Sequence, residues 1–494
     1  MSYLELLKLA APEAILVLTV IGVLAADWFA LRGLALRFRL GIGALIAGAG
    51  CLTALAWILA MPCAANFAEG MLVVDPLTRL VKVALLVLTI LTLIVSVETD
   101  FTEHAGEYFA LILLATVGMM LLVSAEDVLM IFLSLELTSL SLYILAAFNK
   151  RNAQSAEAAL KYFLFGGMAA AFTLFGLSLL YGFSGATNLG RIAAVIGGPK
   201  LDPLLLLAMV MTVAGFGFKV AAAPFHLWAP DVYQGAPTPS AALIASGSKV
   251  AGFFILARLV LVGFRGAEGS GGWQAYEPGW MPLLAVLAAA SMVLGNLAAI
   301  VQSSVRRLLA YSAIAHAGYM LLGVMSPGER GLAPLLYYVI TYALTALGAF
   351  GVVAVVEGQG GSDRLSDFAG LSRRAPAMAF CLMIFMLSLA GIPPLAGFFG
   401  KFYVFASALR AGPQGFALLW LVALAVGMSA VSLYYYLQVL KQAYLAEPPR
   451  GPVARVPISI QVVVLLAAGA VVALGCAPAW LLGRLDEAIA LAGL

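Results

Sequence analysis

Charge is scarce in this chain. Of its 494 residues, 10% are Asp, Glu, Lys or Arg, against roughly 25% in a soluble domain. Hydrophobic residues make up 63% and mean hydropathy is +1.05, more apolar surface than a water-soluble fold can bury. The scarcity excludes a soluble domain and implies an all-α, polytopic membrane protein. A net charge of +3 is too small for a nucleic-acid partner. Cysteine is rare too. Cys51, Cys63, Cys381 and Cys476 are scattered without a C-x-x-C, which argues against a disulfide framework or an iron–sulfur site. His104, His226 and His316 lie far apart and form no H-E-x-x-H. Neither G-x-x-x-x-G-K-[ST] nor G-x-G-x-x-G occurs. No metal and no cofactor is therefore expected on this chain.

What charge there is stands in unusual places. Lys161, Lys219, Lys249 and Lys401 each lie inside a long apolar run, and Glu136 does so in "IFLSLELTSLSLYIL". In hydrocarbon each costs about 2.5–3.5 kcal/mol on the gentlest scale. Both residue types titrate, and desolvation favours the neutral form of either. Proton movement without a bound metal is the use that fits them.

A spanning helix needs about 20 mostly apolar residues. Reading for that length predicts fourteen: Ala10–Phe29, Leu40–Ala60, Pro76–Val97, Tyr108–Val123, Asp127–Phe148, Ala156–Tyr181, Pro203–Ala223, Ala241–Phe264, Met281–Val301, Leu308–Met325, Leu332–Val356, an interrupted Ala377–Arg410, Gln414–Lys441 and Pro457–Leu482. They are numbered 1 to 14 here. The N-terminus lacks a basic region ahead of its apolar stretch and reads as helix 1, not a cleaved signal.

Alternate loops divide Lys and Arg thirteen to seven, which predicts both termini outside. The acidic loop "ETDFTEHAGEY" falls inside by parity and does not alter this. Arg450 and Arg455 count inside; Lys200 counts outside. Trp28, Trp57, Trp273, Trp280 and Trp480 fall near predicted helix ends, as an interfacial belt would place them. Arg79 and Lys82 read as anchors near Asp75.

Two helices look broken. Pro224 follows Lys219 by five residues, and Pro393–Pro394 precede Lys401 by seven or eight. Proline removes a donor and clashes with the preceding turn, so the freed carbonyls must face protein or water. Paired broken helices point to an internal site. The halves correspond further: Lys219 with Lys401, and Glu136 with His316, each about nine residues into its helix. This reads as two inverted five-helix repeats, roughly 104–264 and 280–446, in one membrane domain of residues 1–494 flanked by helices 1–3 and 14.

Each polar residue has a plainer role available. Glu136 would serve as a packing residue, although Gln or Ser would do that more cheaply. Lys219, Lys249 and Lys401 would snorkel, and Lys161 sits early enough in its helix to do so. His226 would satisfy backbone groups at the break, or share a face with Lys219 if that helix continues. His316 would pair with Tyr311 or Ser312.

The segment "FGFKVAAAPFHLWAPDVYQGAPTPSAALIASGSKVAGF", residues 216–253, resembles the signature of the antiporter-like membrane subunits of respiratory complex I and of Mrp-type cation/proton antiporters. The fourteen helices, the Glu136 helix and the broken Lys401 helix match too. The resemblance implies a polar axis at mid-membrane made of Glu136, Lys219, Lys249 and Lys401. Lys161 and His316 match positions that are polar in some members, and His226 joins them as a secondary candidate. The chain stops after helix 14 without the lateral helix of some members, and it has lysine rather than glutamate at 401.

The implied function is proton translocation in a bacterial inner membrane, coupled to quinone reduction elsewhere. Flavin, iron–sulfur clusters and quinone would belong to partner subunits. Partners would be the other complex I membrane subunits, including an adjacent antiporter-like one, with lipid and protons. An Mrp-type subunit, a purely structural anchor and an enzyme acting on lipid-linked substrates are the competing readings. The last would want paired carboxylates or a metal site facing one leaflet, and neither is seen.

Overall fold

Helix starts are written in the sequence as caps. Asp75 accepts from the Thr78 amide at 2.6 Å, and Thr78 Oγ1 returns the favour to the Asp75 amide at 2.8 Å, with Pro76 opening helix 3. Asp127, Asn152, Asp202 and Ser304 cap helices 5, 6, 7 and 10 in the same manner. Each satisfies amides that an apolar solvent would leave bare. The computed structural model describes residues 3–60, 65–98, 100–196, 201–272, 276–326, 329–411, 416–448 and 456–493.

Eleven helices among the described residues are long and apolar enough to cross a membrane. They are helices 1 (Ala11–Leu31), 2 (Leu36–Ala60), 3 (Pro76–Ser96), 4 (Ala105–Val123), 5 (Val128–Ala146), 6 (Ala153–Ser184), 8 (Thr238–Gly263), 9 (Trp280–Ile300), 11 (Gly331–Gly358), 13 (Leu419–Leu445) and 14 (Ile458–Cys476). Helix 10 (Val305–Val324) carries more polar residues. Helices 7 and 12 come in two pieces each: Pro203–Val220 with Ala229–Gly235, and Pro376–Ala390 with Ala396–Leu409. The fourteen predicted helices are therefore present. Helix 8 is buried throughout and helix 11 nearly so, whereas only about a third of the residues of helices 6 and 13 are buried. The polar groups described below sit around that centre. Two short antiparallel hairpins, Ala65–Phe67 with Leu72–Val74 and Ser270–Gly271 with Tyr276–Glu277, are the only strands among the described residues.

Two backbone features recur. The Val128 amide donates to Thr187 O at 2.8 Å and the Leu189 amide to Glu126 O at 2.9 Å, tying the start of helix 5 to the end of helix 6. The Val305 amide donates to Asp363 O at 2.7 Å and the Leu365 amide to Ser303 O at 2.8 Å, doing the same for helices 10 and 11. Five crossings separate these ties, so they lie on opposite faces of the membrane, as inversion requires. The breaks match as well. Helix 7 stops at left-handed Ala221 (φ 56°) and helix 12 at left-handed Gly391 (φ 88°). The Ala222 amide reaches Gly217 O at 2.8 Å, and the Ile392 amide reaches Leu387 O at 3.0 Å. Three residues on, Ala223–Pro224 and Pro393–Pro394 are both cis.

This alignment corrects both expected residue correspondences. Lys219 precedes its left-handed residue by two positions and Lys401 follows its own by ten, so they flank their breaks on opposite sides. Glu136 follows Val128 by eight residues and His316 follows Val305 by eleven; the position matching Glu136 is Ala313.

Other expectations change too. Helix 14 ends at Cys476, and Pro478 opens a further helix, Pro478–Ala492, that packs on helices 3 and 11. Trp28, Trp57 and Trp480 are exposed, but Trp280 is 2% exposed with its indole on Phe264 O, because helix 9 begins under the preceding loop. Lys82 is no anchor. It is buried against Glu13 of helix 1 at 2.6 Å. Arg79 reaches Ile58 O at 2.7 Å. Trp273, Cys63, Lys200, Arg450 and Arg455 lie outside the described residues.

Candidate functional site

Lys219 ends the first half of helix 7 and is 6% exposed. Its Nζ donates to Ser139 Oγ at 3.2 Å. Ser139 stands one turn beyond Glu136 on helix 5. Half-buried Glu136 joins Ser139, Tyr143 and Lys219 around a cavity of about 20 Å³, room for about one water. Among the described residues no ion pair within 4.0 Å joins Glu136 to Lys219. The face-sharing of Lys219 and His226 also fails, because the helix stops between them; half-buried His226 lies in the break.

Lys249 lies three residues past an irregular turn at Ser246 (φ −112°, ψ −83°) in helix 8. This third interruption was not anticipated, although the run "SGSK" is its signal. The Lys249 amine is held by carbonyls: Val220 O at 3.1 Å, freed by the helix 7 break, and Ala313 O at 2.8 Å on helix 10. The ring of Tyr342 is 5.9 Å away.

Lys401 sits on the carbonyls freed by its own break, Leu389 O at 2.8 Å and Ala390 O at 3.1 Å, and on Ser429 Oγ of helix 13 at 2.8 Å. Both breaks therefore present carbonyls to a buried ammonium, which answers the demand that unpaired backbone groups find partners away from lipid.

Between Lys249 and Lys401 lies an aromatic cluster around His316, which is 1% exposed. Nδ1 meets Tyr338 OH at 2.8 Å and Nε2 meets Tyr436 OH at 3.2 Å. Ser312 shares the Tyr436 hydroxyl at 2.5 Å. The His316 ring is 5.0 Å from Tyr342 and 5.6 Å from Tyr319, and Lys401 Nζ is 5.1 Å from the Tyr319 ring. Asn296 ties Tyr319 and Tyr435 into the same cluster.

Lys161 stands apart, in ion pairs with Glu157 and Asp231, both at 2.7 Å. Sequence reasoning missed other buried charges. Arg258, 3% exposed, pairs with Asp75 at 3.0 Å and donates to Val123 O at 3.1 Å. Glu13, near the start of helix 1, was also missed. No group of three or more metal-ligating side chains occurs among the described residues.

Residues 125–428 match the family model "NADH:quinone oxidoreductase/Mrp antiporter, TM". NADH-quinone oxidoreductase subunit N 2 of Acidobacterium capsulatum is 52% identical over 488 residues, 97% of this chain and 98% of that protein. The chain belongs to the subunit N family of bacterial NADH–quinone oxidoreductase. A chain of Thermus thermophilus respiratory complex I superposes with a TM-score of 0.78 at 36% identity, covering 96% of this chain and 99% of that one. A chain of the Mrp complex from Dietzia shares the fold, with a TM-score of 0.83 at 21% identity over 98% and 97%.

Proposed function

We propose that this subunit moves protons along a buried axis of Glu136, Lys219, Lys249 and Lys401, with Lys161, His226 and His316 as secondary stations. One observation carries the reading. Three ammonium groups, each 6% exposed or less, are held by carbonyls and hydroxyls rather than by carboxylates. A lysine held that way can lose its proton without leaving a buried carboxylate behind.

The partners are the other membrane subunits of complex I, including an adjacent antiporter-like one. Flavin, iron–sulfur clusters and quinone reside in partner subunits. The chain lies in the bacterial inner membrane with both termini on the periplasmic side, and its repeats run from 104 to 264 and from 280 to 446. Higher identity to complex I chains than to the Mrp chain favours this reading over the cation/proton antiporter.

The test is Lys219→Met and Lys249→Met in the assembled enzyme in inverted vesicles. NADH oxidation that continues with reduced acidification supports the axis. Unchanged protons per NADH in both variants makes the chain a structural anchor.

A further inference from the structure

Asp231 occupies in the first repeat the place that Lys401 occupies in the second. Each follows the left-handed residue of its break by ten positions. Asp231 lies on the second half of helix 7, Ala229–Gly235, and its two oxygens go to different parts of the chain. Lys161 of helix 6 donates to Oδ2 at 2.7 Å. Arg307 of helix 10 donates to Oδ1 at 2.6 Å. Glu157 shares Lys161, and Gln234 shares Arg307 at 3.3 Å. The neighbouring Arg306 takes the other end of the same half-helix, donating to Tyr233 O at 2.8 Å and to Ala236 O, and pairs with Glu357 at 3.1 Å.

A helix of seven residues does not hold itself together in isolation. Its placement depends on these contacts and on packing. Its other end is fastened to the proton site: Trp228, the residue before it, donates from Nε1 to Phe218 O at 3.1 Å, next to Lys219. Trp228 also stacks on Tyr162 at 4.4 Å, the residue after Lys161. A shift of the half-helix therefore reaches the backbone that carries Lys219.

We propose that Asp231 is a positioning residue of the proton path: it joins Lys161 of one repeat to Arg307 of the other and so fixes the half-helix that orients Lys219. The proposal rests on the proton-translocation reading.

Asp231→Asn, Asp231→Glu, Lys161→Met and the Asp231→Asn/Lys161→Met double variant test it in the whole enzyme in vesicles, with Lys219→Met alongside. NADH oxidation and acidification are read separately. Asp231→Asn is expected to lower protons moved per NADH by about threefold or more, within the range of coupling carried by residues remote from a site. Asp231→Glu restores most of it, and the double variant loses no more than Asp231→Asn alone. A wild-type ratio in Asp231→Asn, no rescue by Glu, or losses that multiply in the double variant would overturn the proposal. Should Asp231→Asn fail to assemble, a wild-type ratio in Lys161→Met overturns it equally. Normal pumping by Lys219→Met would instead remove the underlying reading, and the proposal with it.

Discussion

Lys219 rests on Ser139 and not on Glu136. The hydroxyl is 3.2 Å from the amine, and the carboxylate one turn away borders the same small cavity without closing on it. The pair is thus open but within reach of closure. Two charges brought to about 4 Å attract by roughly 4 kcal/mol at an effective dielectric of about 20. Closing and opening this gap changes how tightly Lys219 keeps its proton. Glu136→Gln is expected to cut protons pumped per NADH far more than Glu136→Asp does. Normal assembly with a wild-type ratio in Glu136→Gln would dismiss the switch.

Ser139 gives a companion prediction. Ser139→Ala removes the hydroxyl that solvates a buried ammonium, a loss of about 1–3 kcal/mol. Pumping rate should fall severalfold, and Ser139→Thr should keep most of it. Equal rates in the Ala and Thr variants would show that the hydroxyl is not needed.

At the paired breaks, removing a methyl group from one and adding a methyl group to the other should shift stability in opposite directions. Ala221 sits at φ 56° and Gly391 at φ 88°, and a left-handed backbone costs a non-glycine residue roughly 1–2 kcal/mol. Ala221→Gly should raise the midpoint of thermal unfolding in detergent. Gly391→Ala should lower it, and its new Cβ would lie 3.2 Å from Lys401 Cδ, pressing on the lysine. Gly391→Ala should therefore lose pumping as well as stability. Matching shifts of the same sign would contradict the assignment.

Glu13 and Lys82 form a buried pair, their side chains 5% and 3% exposed. Removing one partner strands the other, at a cost of about 3–5 kcal/mol, whereas replacing both by apolar residues is often neutral. Lys82→Met should reduce the amount of assembled complex, and Glu13→Leu with Lys82→Met should restore it. Blue-native gels of membrane extracts read this directly. A double variant as poor as the single would show that the pair does more than tie helix 1 to helix 3.

The helices, both breaks and the buried lysines were legible because each is a local signal: apolar length, proline, or a lone charge in an apolar run. Partners were not legible. Glu13 reads as a polar residue near a helix end, and only packing shows that it meets Lys82 sixty-nine residues later. Asp231 reads as a loop acid after Pro230, and its bonds to Lys161 and Arg307 need the half-helix to be placed first. Lys219 and Lys401 looked equivalent because each neighbours prolines. Which side of the left-handed turn each occupies is a backbone fact that residue type does not carry.

The Lys249 amine spans Val220 O and Ala313 O, one carbonyl from each half of the duplicated architecture. A chain cut between helices 8 and 9 would leave the C-terminal half without the ammonium at Ala313, and the N-terminal half with Lys249 facing an empty seam. The two halves are thus fastened to each other at the Lys249 amine as well as at Asp231.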